Sequence, residues 1–109
     1  LRILLTIGKT MKIAILSDSH DHKENLRLAL TQINDLQADV LLTCGDMSAS
    51  FMYQIACEHF KGPIHSVFGN WEPMSFNLVK TLKDNPHLVH HDQYANLVLD
   101  GKHIGMTHY

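Results

Sequence analysis

The sequence has no long hydrophobic run, few cysteines and no excess of positive charge. Its apolar stretches span only a few residues, whereas a membrane-spanning helix needs about 20, so no membrane partner is predicted. Nine Lys and Arg against eleven Asp and Glu give a net charge of -2, which argues against generic nucleic-acid binding. The two cysteines, Cys44 and Cys57, form no CxxC pair. We therefore expect both cysteines to be ordinary thiols in a reducing compartment, and the protein to be cytoplasmic.

Histidine, by contrast, is abundant. The 109 residues include nine histidines, and 45% of the chain is hydrophobic and 18% charged. This length and this composition are typical of a single globular domain. Because histidine is the commonest metal ligand in proteins, the count favours a metal site without locating it.

The first ten residues differ from the rest because they precede the first methionine, Met11. The segment MKIAILSDSH that begins there has the form of a natural start followed by a strand. We therefore interpret residues 1–10 as an upstream extension and residues 11–109 as the N-terminal part of one domain. A genuine edge strand within residues 1–10 is the alternative interpretation.

From Met11 onward, strand-like and helical patterns alternate. Strands are predicted at residues 12–17, 40–44 and 64–68, and two amphipathic helices separate them. The apolar positions of these helices are Leu26, Ala29, Leu30, Ile33 and Leu36 in the first, and Phe51, Ile55, Ala56 and Phe60 in the second. Two consecutive β-α-β units predict an α/β fold with parallel strands, in a sheet covered on both faces.

The pattern changes in the second half of the chain. A short helix is predicted within residues 73–84, with an apolar side formed by Phe76, Val79 and Leu82. A brief strand is predicted at residues 87–90. Asp100-Gly101 stands between two strand-like segments, residues 96–99 and 102–107, which predicts a hairpin with a type I′ turn.

Polar residues suited to metal binding follow the ends of these strands. Asp18 and His20 follow the first strand, and residues two apart in an extended segment can face one ion. The corresponding residues after the later strands are Asp46 behind Gly45, Asn70 behind Gly69, and His108 at the end of the hairpin. Each of them alone is explained by a helix cap or a turn. Their coincidence at the carboxyl ends of the strands, where sites form in open parallel sheets, favours one shared site.

These segments resemble the calcineurin-like metallophosphoesterase superfamily. The matching motifs are SDSHDH at 17–22, CGD at 44–46, GNWE at 69–72 and the strand-terminal His108, in the order of the family. The chain is most similar to the small single-domain phosphodiesterases of that superfamily. The resemblance implies an α-β-β-α sandwich with a mostly parallel first sheet, incomplete at the C-terminus because the family's later Gly-His-x-His motif does not follow.

The resemblance also implies hydrolysis of phosphodiesters at a two-metal site. Asp18 and His20 would hold the first ion, Asp46 would bridge both, and Asn70 and His108 would hold the second. Mixed oxygen and imidazole ligands suit Mn²⁺, Fe, Zn or Ni, and the habit of the family favours manganese. A metal-bound hydroxide would attack the phosphorus of a small phosphoester, with Asp46 and Asn70 at the reacting centre.

Two departures from the family pattern qualify this interpretation. Trp71 stands where many members have a histidine general acid, and an indole cannot protonate a leaving oxygen. Trp71 either packs over the site or stacks on the substrate, and His22 is a second candidate for a substrate contact. Without the later histidines, we expect the chain to bind metal weakly and to be close to inactive. It should also expose apolar surface on Leu97, Leu99 or Ile104 and associate into a homo-oligomer through an open strand edge.

The competing function is a non-enzymatic protein-binding scaffold, as in the related retromer subunit. Retention of all five expected ligands favours the enzyme. The other histidines are interpreted as surface or core residues away from the strand ends; they are His59, His65, His87, His90, His91 and His103.

Overall fold

Strands and helices alternate in this chain until a terminal hairpin. The structure, a computed structural model, describes residues 2–7, 11–16, 23–45, 50–67, 76–91 and 94–107. The strands are β1 (Arg2–Ile7), β2 (Met11–Leu16), β3 (Val40–Thr43), β4 (Ile64–Ser66), β5 (Leu88–His90), β6 (Tyr94–Leu99) and β7 (Lys102–Thr107). The helices are α1 (Lys23–Asp35), α2 (Ser50–His59) and α3 (Phe76–Asp84).

The first five strands form one sheet in the order of the chain. Strands β2, β3, β4 and β5 pair in parallel. Parallel neighbours need a crossover connection, and α1, α2 and α3 lie in the three crossovers. The sequence-based prediction of an α/β fold with a parallel sheet is thereby confirmed.

Both faces of this sheet are covered, because successive side chains of a strand point to opposite sides. On one face, Ala14, Leu41 and Ile64 pack against buried residues of the helices, such as Leu30 and Met52. On the other face, the strand residues pack against the β6–β7 hairpin; the buried members of this cluster are Ile13, Val40, Leu42, Val67, Ala95, Leu97 and Met106. Burying each large aliphatic side chain contributes about 1.5–3 kcal/mol. The described residues therefore form an α-β-β arrangement of layers.

The hairpin has the predicted turn. Asp100 and Gly101 have φ values of 49° and 75°, and a type I′ turn requires positive φ at both central positions. The predicted exposure of Leu97 is wrong, since the residue is 6% exposed and packs on the first sheet. The pairing register turns Tyr94 and Val98 outward instead, and they are 56% and 62% exposed. Leu99 and Ile104 are partly buried against the same cluster as Leu97.

Two helix positions also differ from the sequence-based expectation. Leu36, predicted on the apolar side of α1, lies after the last residue of that helix and is 50% exposed. In α3, Val79 is 49% exposed and Leu78 is buried in the core. The buried side of so short a helix is decided by packing against the sheet, which a three-residue apolar spacing does not specify.

Strand β1 lies at the edge of the sheet, antiparallel to β2. The pairing runs from Arg2 opposite Leu16 to Ile7 opposite Met11. Residues 2–7 thus take the conformation of the edge strand that the sequence left as the alternative. That residues 1–10 are an upstream extension stays a prediction.

Helix α1 ends in a Schellman motif with glutamine at the left-handed position. Gln37 has φ 60°; its N–H donates to the Asn34 carbonyl at 3.0 Å, and the Ala38 N–H donates to the Ile33 carbonyl at 3.2 Å. Glycine takes this conformation without steric cost. We therefore expect Gln37→Gly to raise the free energy of unfolding by about 0.5–1 kcal/mol.

The matched control is Gln32→Gly. Gln32 is exposed in the interior of the same helix, where glycine costs about 1 kcal/mol. Urea denaturation of both variants measures the difference. Equal destabilisation by the two substitutions would contradict this account of the cap.

Candidate metal centre

Four parallel strands end level with one another. Leu16, Thr43, Ser66 and His90, the last residues of β2 to β5, are successive partners in the pairing register. The backbone ladder continues one residue further. Cys44 donates to the Leu16 carbonyl at 2.8 Å, and equivalent bonds run from Val67 to Thr43 at 3.1 Å and from His91 to Ser66 at 2.8 Å. We call Leu16, Thr43, Ser66 and His90 the terminal row.

In the amino-acid sequence, the segments that carry the predicted ligands follow this row. In the sequence, Asp18 and His20 come shortly after Leu16, Asp46 after Thr43 and Asn70 after Ser66. His108 follows the last residue of β7. The predicted site residues all lie outside the described residues; they are Asp18, His20, His22, Asp46, Asn70, Trp71 and His108. The ligand set and the substrate contacts therefore stay predictions.

Gly45 shows how the backbone turns at the end of β3. The residue is buried and has φ 100°, a conformation that is open to glycine and strained for other residues. It immediately precedes Asp46, the predicted bridging ligand. Positive φ is therefore a local reason for glycine at position 45.

The terminal row carries buried polar groups on its helix-facing side. Thr43 and Ser66 are both 0% exposed. The Ser66 hydroxyl lies 2.7 Å from Nδ1 of His90, and the Tyr53 ring is T-shaped to the same imidazole, with the ring centroids 6.4 Å apart. This cluster was not predicted from the sequence, where His90 is interpreted as a residue away from the strand ends. The signal was available, since the predicted strand at 87–90 already ended at His90.

The Thr43 hydroxyl has no hydrogen-bond partner within the described part of the chain. Leaving a buried hydroxyl unpaired costs about 1–3 kcal/mol, so a partner is expected. A buried hydroxyl at the end of β3 is more compatible with polar groups beyond the terminal row than with apolar packing there. The predicted donor set of carboxylate, imidazole and amide is likewise suited to divalent ions such as Mn²⁺ or Zn²⁺. The residues present therefore fit a metal centre.

A second pair of side chains lies on the hairpin-facing side of β4 and β5. Nδ1 of His65 and Nε2 of His91 are 2.8 Å apart, and the two ring centroids are 5.1 Å apart with 27° between the ring planes, so the rings meet end to end through these nitrogens. Burial, and to a smaller extent the nearby His91, holds the pKa of His65 below its ordinary value of 6.5. The sequence predicts both histidines to be surface or core residues away from the strand ends, whereas His91 directly follows β5.

The described residues contain neither a ready-made cluster of metal ligands nor a membrane-spanning helix. No group of three or more His, Cys, Asp or Glu side chains within these ranges is arranged to hold an ion. No helix in the same ranges is long and apolar enough to cross a membrane.

Comparison with known proteins identifies the class. The family model of the calcineurin-like phosphoesterase superfamily domain matches residues 11–109, and the chain belongs to this superfamily. A phosphodiesterase of Methanocaldococcus jannaschii is 31% identical over 98 residues, which are 90% of this chain and 58% of that protein. A solved structure, described as a novel archaeal phosphodiesterase, superposes with a TM-score of 0.78 at 30% identity. The match covers 87% of this chain and 57% of that one, so the chain spans little more than half the length of these relatives.

Proposed function

We propose that this chain carries most of the active site of a divalent-metal-dependent phosphodiesterase. Asp18 and His20 would hold one ion, Asp46 would bridge to a second, and Asn70 and His108 would complete the second position. The observation that carries the proposal is the terminal row. Because four strands end level, the segments that follow them start from the same edge of the sheet, where sites form in open α/β folds. Both matched relatives are described as phosphodiesterases.

Each proposed ligand has a distinct task. Asp46 has two carboxylate oxygens and can therefore contact both ions, whereas the amide oxygen of Asn70 contributes a neutral ligand. When bound, two divalent ions supply a nucleophile at neutral pH and neutralise the charge that develops on the transferred phosphoryl group. Manganese is the ion we favour, and iron, zinc and nickel are compatible with the same donors.

The substrate side of the site is assigned to His22 and Trp71. His22 follows the Asp18/His20 segment, and Trp71 follows Asn70 directly. An indole offers a flat apolar face and one N–H donor but no transferable proton for a leaving oxygen. The proposed substrates are therefore small phosphodiesters with good leaving groups, such as aryl diesters.

Metal removal tests this function. A form of the chain lengthened past Tyr109 with the family's Gly-His-x-His motif should hydrolyse an aryl phosphodiester in Mn²⁺ faster than the corresponding monoester. Chelation should abolish the activity, and restoring Mn²⁺ should recover it. The 109-residue chain, assayed alongside, should bind Mn²⁺ more weakly and turn over more slowly. A lengthened form with full metal occupancy and no diesterase activity would instead support a protein-binding scaffold.

A further inference from the structure

We propose that His65 and His91 form a second metal site, which binds one Zn²⁺, Ni²⁺ or Cu²⁺ ion and is separate from the phosphodiesterase centre. The observation behind the proposal is the 2.8 Å approach of Nδ1 of His65 to Nε2 of His91. Both atoms are ring nitrogens, so at least one of them presents a lone pair to the other. Two imidazole nitrogens that converge in this way form the minimal chelate for a borderline divalent ion.

The two rings can share an ion after both have moved. Zinc–imidazole bonds measure about 2.0–2.1 Å, which places two ligands of one ion about 2.9 Å apart at a right angle and about 3.4 Å apart in a tetrahedron. The two nitrogens would therefore need to separate by about 0.6 Å, and each ring would need to turn by about 35° so that its lone pair points at a tetrahedral ion. The backbone that carries the two histidines is fixed by hydrogen bonds, because the His91 N–H donates to the Ser66 carbonyl at 2.8 Å and β4 pairs with β5.

The protonation states also favour a metal ligand. Metal binding requires neutral histidine, and the lowered pKa of His65, caused by burial and to a smaller extent by His91, favours the neutral ring. On binding, the hydrogen shared between the rings moves to the other nitrogen of the donating ring. Both facing atoms then offer lone pairs, and neither ring changes its charge.

Accessibility and ligand type define which ions fit. His65 and His91 are both half-buried, so a hydrated ion can approach and water can fill the remaining coordination positions. Imidazole suits Zn²⁺, Cu²⁺ and Ni²⁺, whereas Mg²⁺ and Ca²⁺ prefer oxygen ligands. The pair is therefore expected to discriminate between these two groups of ions.

The pair is distinct from the proposed phosphodiesterase ligands. Ser66 and His90 of the terminal row hydrogen-bond on the helix-facing side of the sheet. His65 precedes Ser66 in β4, and His91 follows His90 directly after β5. By the alternation of side chains, both lie on the opposite, hairpin-facing side. Neither histidine belongs to the proposed five-ligand set, and this site does not depend on the proposed activity.

Equilibrium dialysis against Zn²⁺ tests the site in the 109-residue chain. His65→Gln and His91→Gln should each lose one bound Zn²⁺ per chain, and the double variant should lose no more than either single one. His59→Gln and His103→Gln, which replace exposed histidines elsewhere, should bind as the parent does. The pair ion should persist in Asp46→Asn. Unchanged stoichiometry in folded pair variants would overturn the proposal, and so would loss of the same ion in Asp46→Asn.

A second measurement does not require the pair variants to fold. In Asp46→Asn, Ni²⁺ should broaden the backbone amide NMR signals of Ser66 and Val89, which flank the pair, while the same concentration of Mg²⁺ should leave them unchanged. Ni²⁺ that broadens neither signal would refute the site. Far-UV circular dichroism without metal establishes which pair variants are folded.

Discussion

Asp46→Asn should remove metal from both positions of the proposed phosphodiesterase centre and abolish hydrolysis. An amide has one acceptor oxygen and no charge, so it cannot replace a carboxylate that bridges two cations. Loss of an outer-shell partner alone typically costs 10–100-fold in metal affinity or activity. We therefore expect a loss of more than about 100-fold for this ligand. Elemental analysis and aryl phosphodiester hydrolysis of the lengthened form measure the two effects.

Two further variants make the result specific. Asp84→Asn applies the same chemical change to an exposed carboxylate at the end of α3, and it should leave metal content and rate unchanged. His20→Ala should deplete the first ion more than the second, because His20 is proposed to contact only the first. Unchanged metal stoichiometry in Asp46→Asn would refute the bridging role.

Trp71→His should extend hydrolysis to poorer leaving groups. A positioned general acid typically contributes about 10²–10⁴-fold, and this position lacks one in the present sequence. Alkyl phosphodiesters need protonation of the leaving oxygen more than aryl diesters do. We expect the rate on an alkyl diester to rise by about 10²-fold, towards the lower end of that range, and the rate on an aryl diester to change little.

Trp71→Phe separates acid catalysis from packing. Phenylalanine keeps a flat ring but introduces no titratable group, so the preference for aryl diesters should persist. The pH profile of the Trp71→His variant on the alkyl substrate should gain a descending limb as the new imidazole loses its proton. Equal alkyl diesterase rates in the histidine and phenylalanine variants would exclude the proposed role of this position.

The sequence was most informative where local pattern and connectivity agree. The alternation of apolar strands and amphipathic helices predicted β2, β3 and β4 to within about two residues, within the usual boundary uncertainty. The Asp100-Gly101 pair predicted the turn of the hairpin, because positive φ at both positions is a local requirement.

Predictions that depended on packing between distant elements were wrong at several residues. To predict that Leu97 faces inward, one would need to know that the hairpin packs on the first sheet. To predict that Leu78 and not Val79 is buried, one would need to know the orientation of α3 on the sheet. Neither is encoded in the spacing of a few apolar residues.

The candidate site divides in a similar way. Two β-α-β units and the handedness of their connections predicted the order of the strands. That order places the starts of the ligand segments at a common edge of the sheet. The ligands themselves were assigned by motif and stay predictions. The contacts of His65 with His91 and of Ser66 with His90 could not be anticipated, because they depend on the register between β4 and β5. That register joins residues far apart in the chain.

The two-residue turn of the hairpin also bears on how the chain reaches its native state. Strands β6 and β7 are neighbours in sequence, and a hairpin of this kind forms in about 1–10 μs. The paired residues of adjacent parallel strands are instead roughly two dozen positions apart, and such non-local pairing slows folding. We therefore expect the hairpin to form before the sheet on which it packs. Until β2, β3 and β4 assemble, the inner side chains of the hairpin, Ala95, Leu97 and Met106, should face water. Pulsed hydrogen exchange during refolding would measure the order in which the strands become protected.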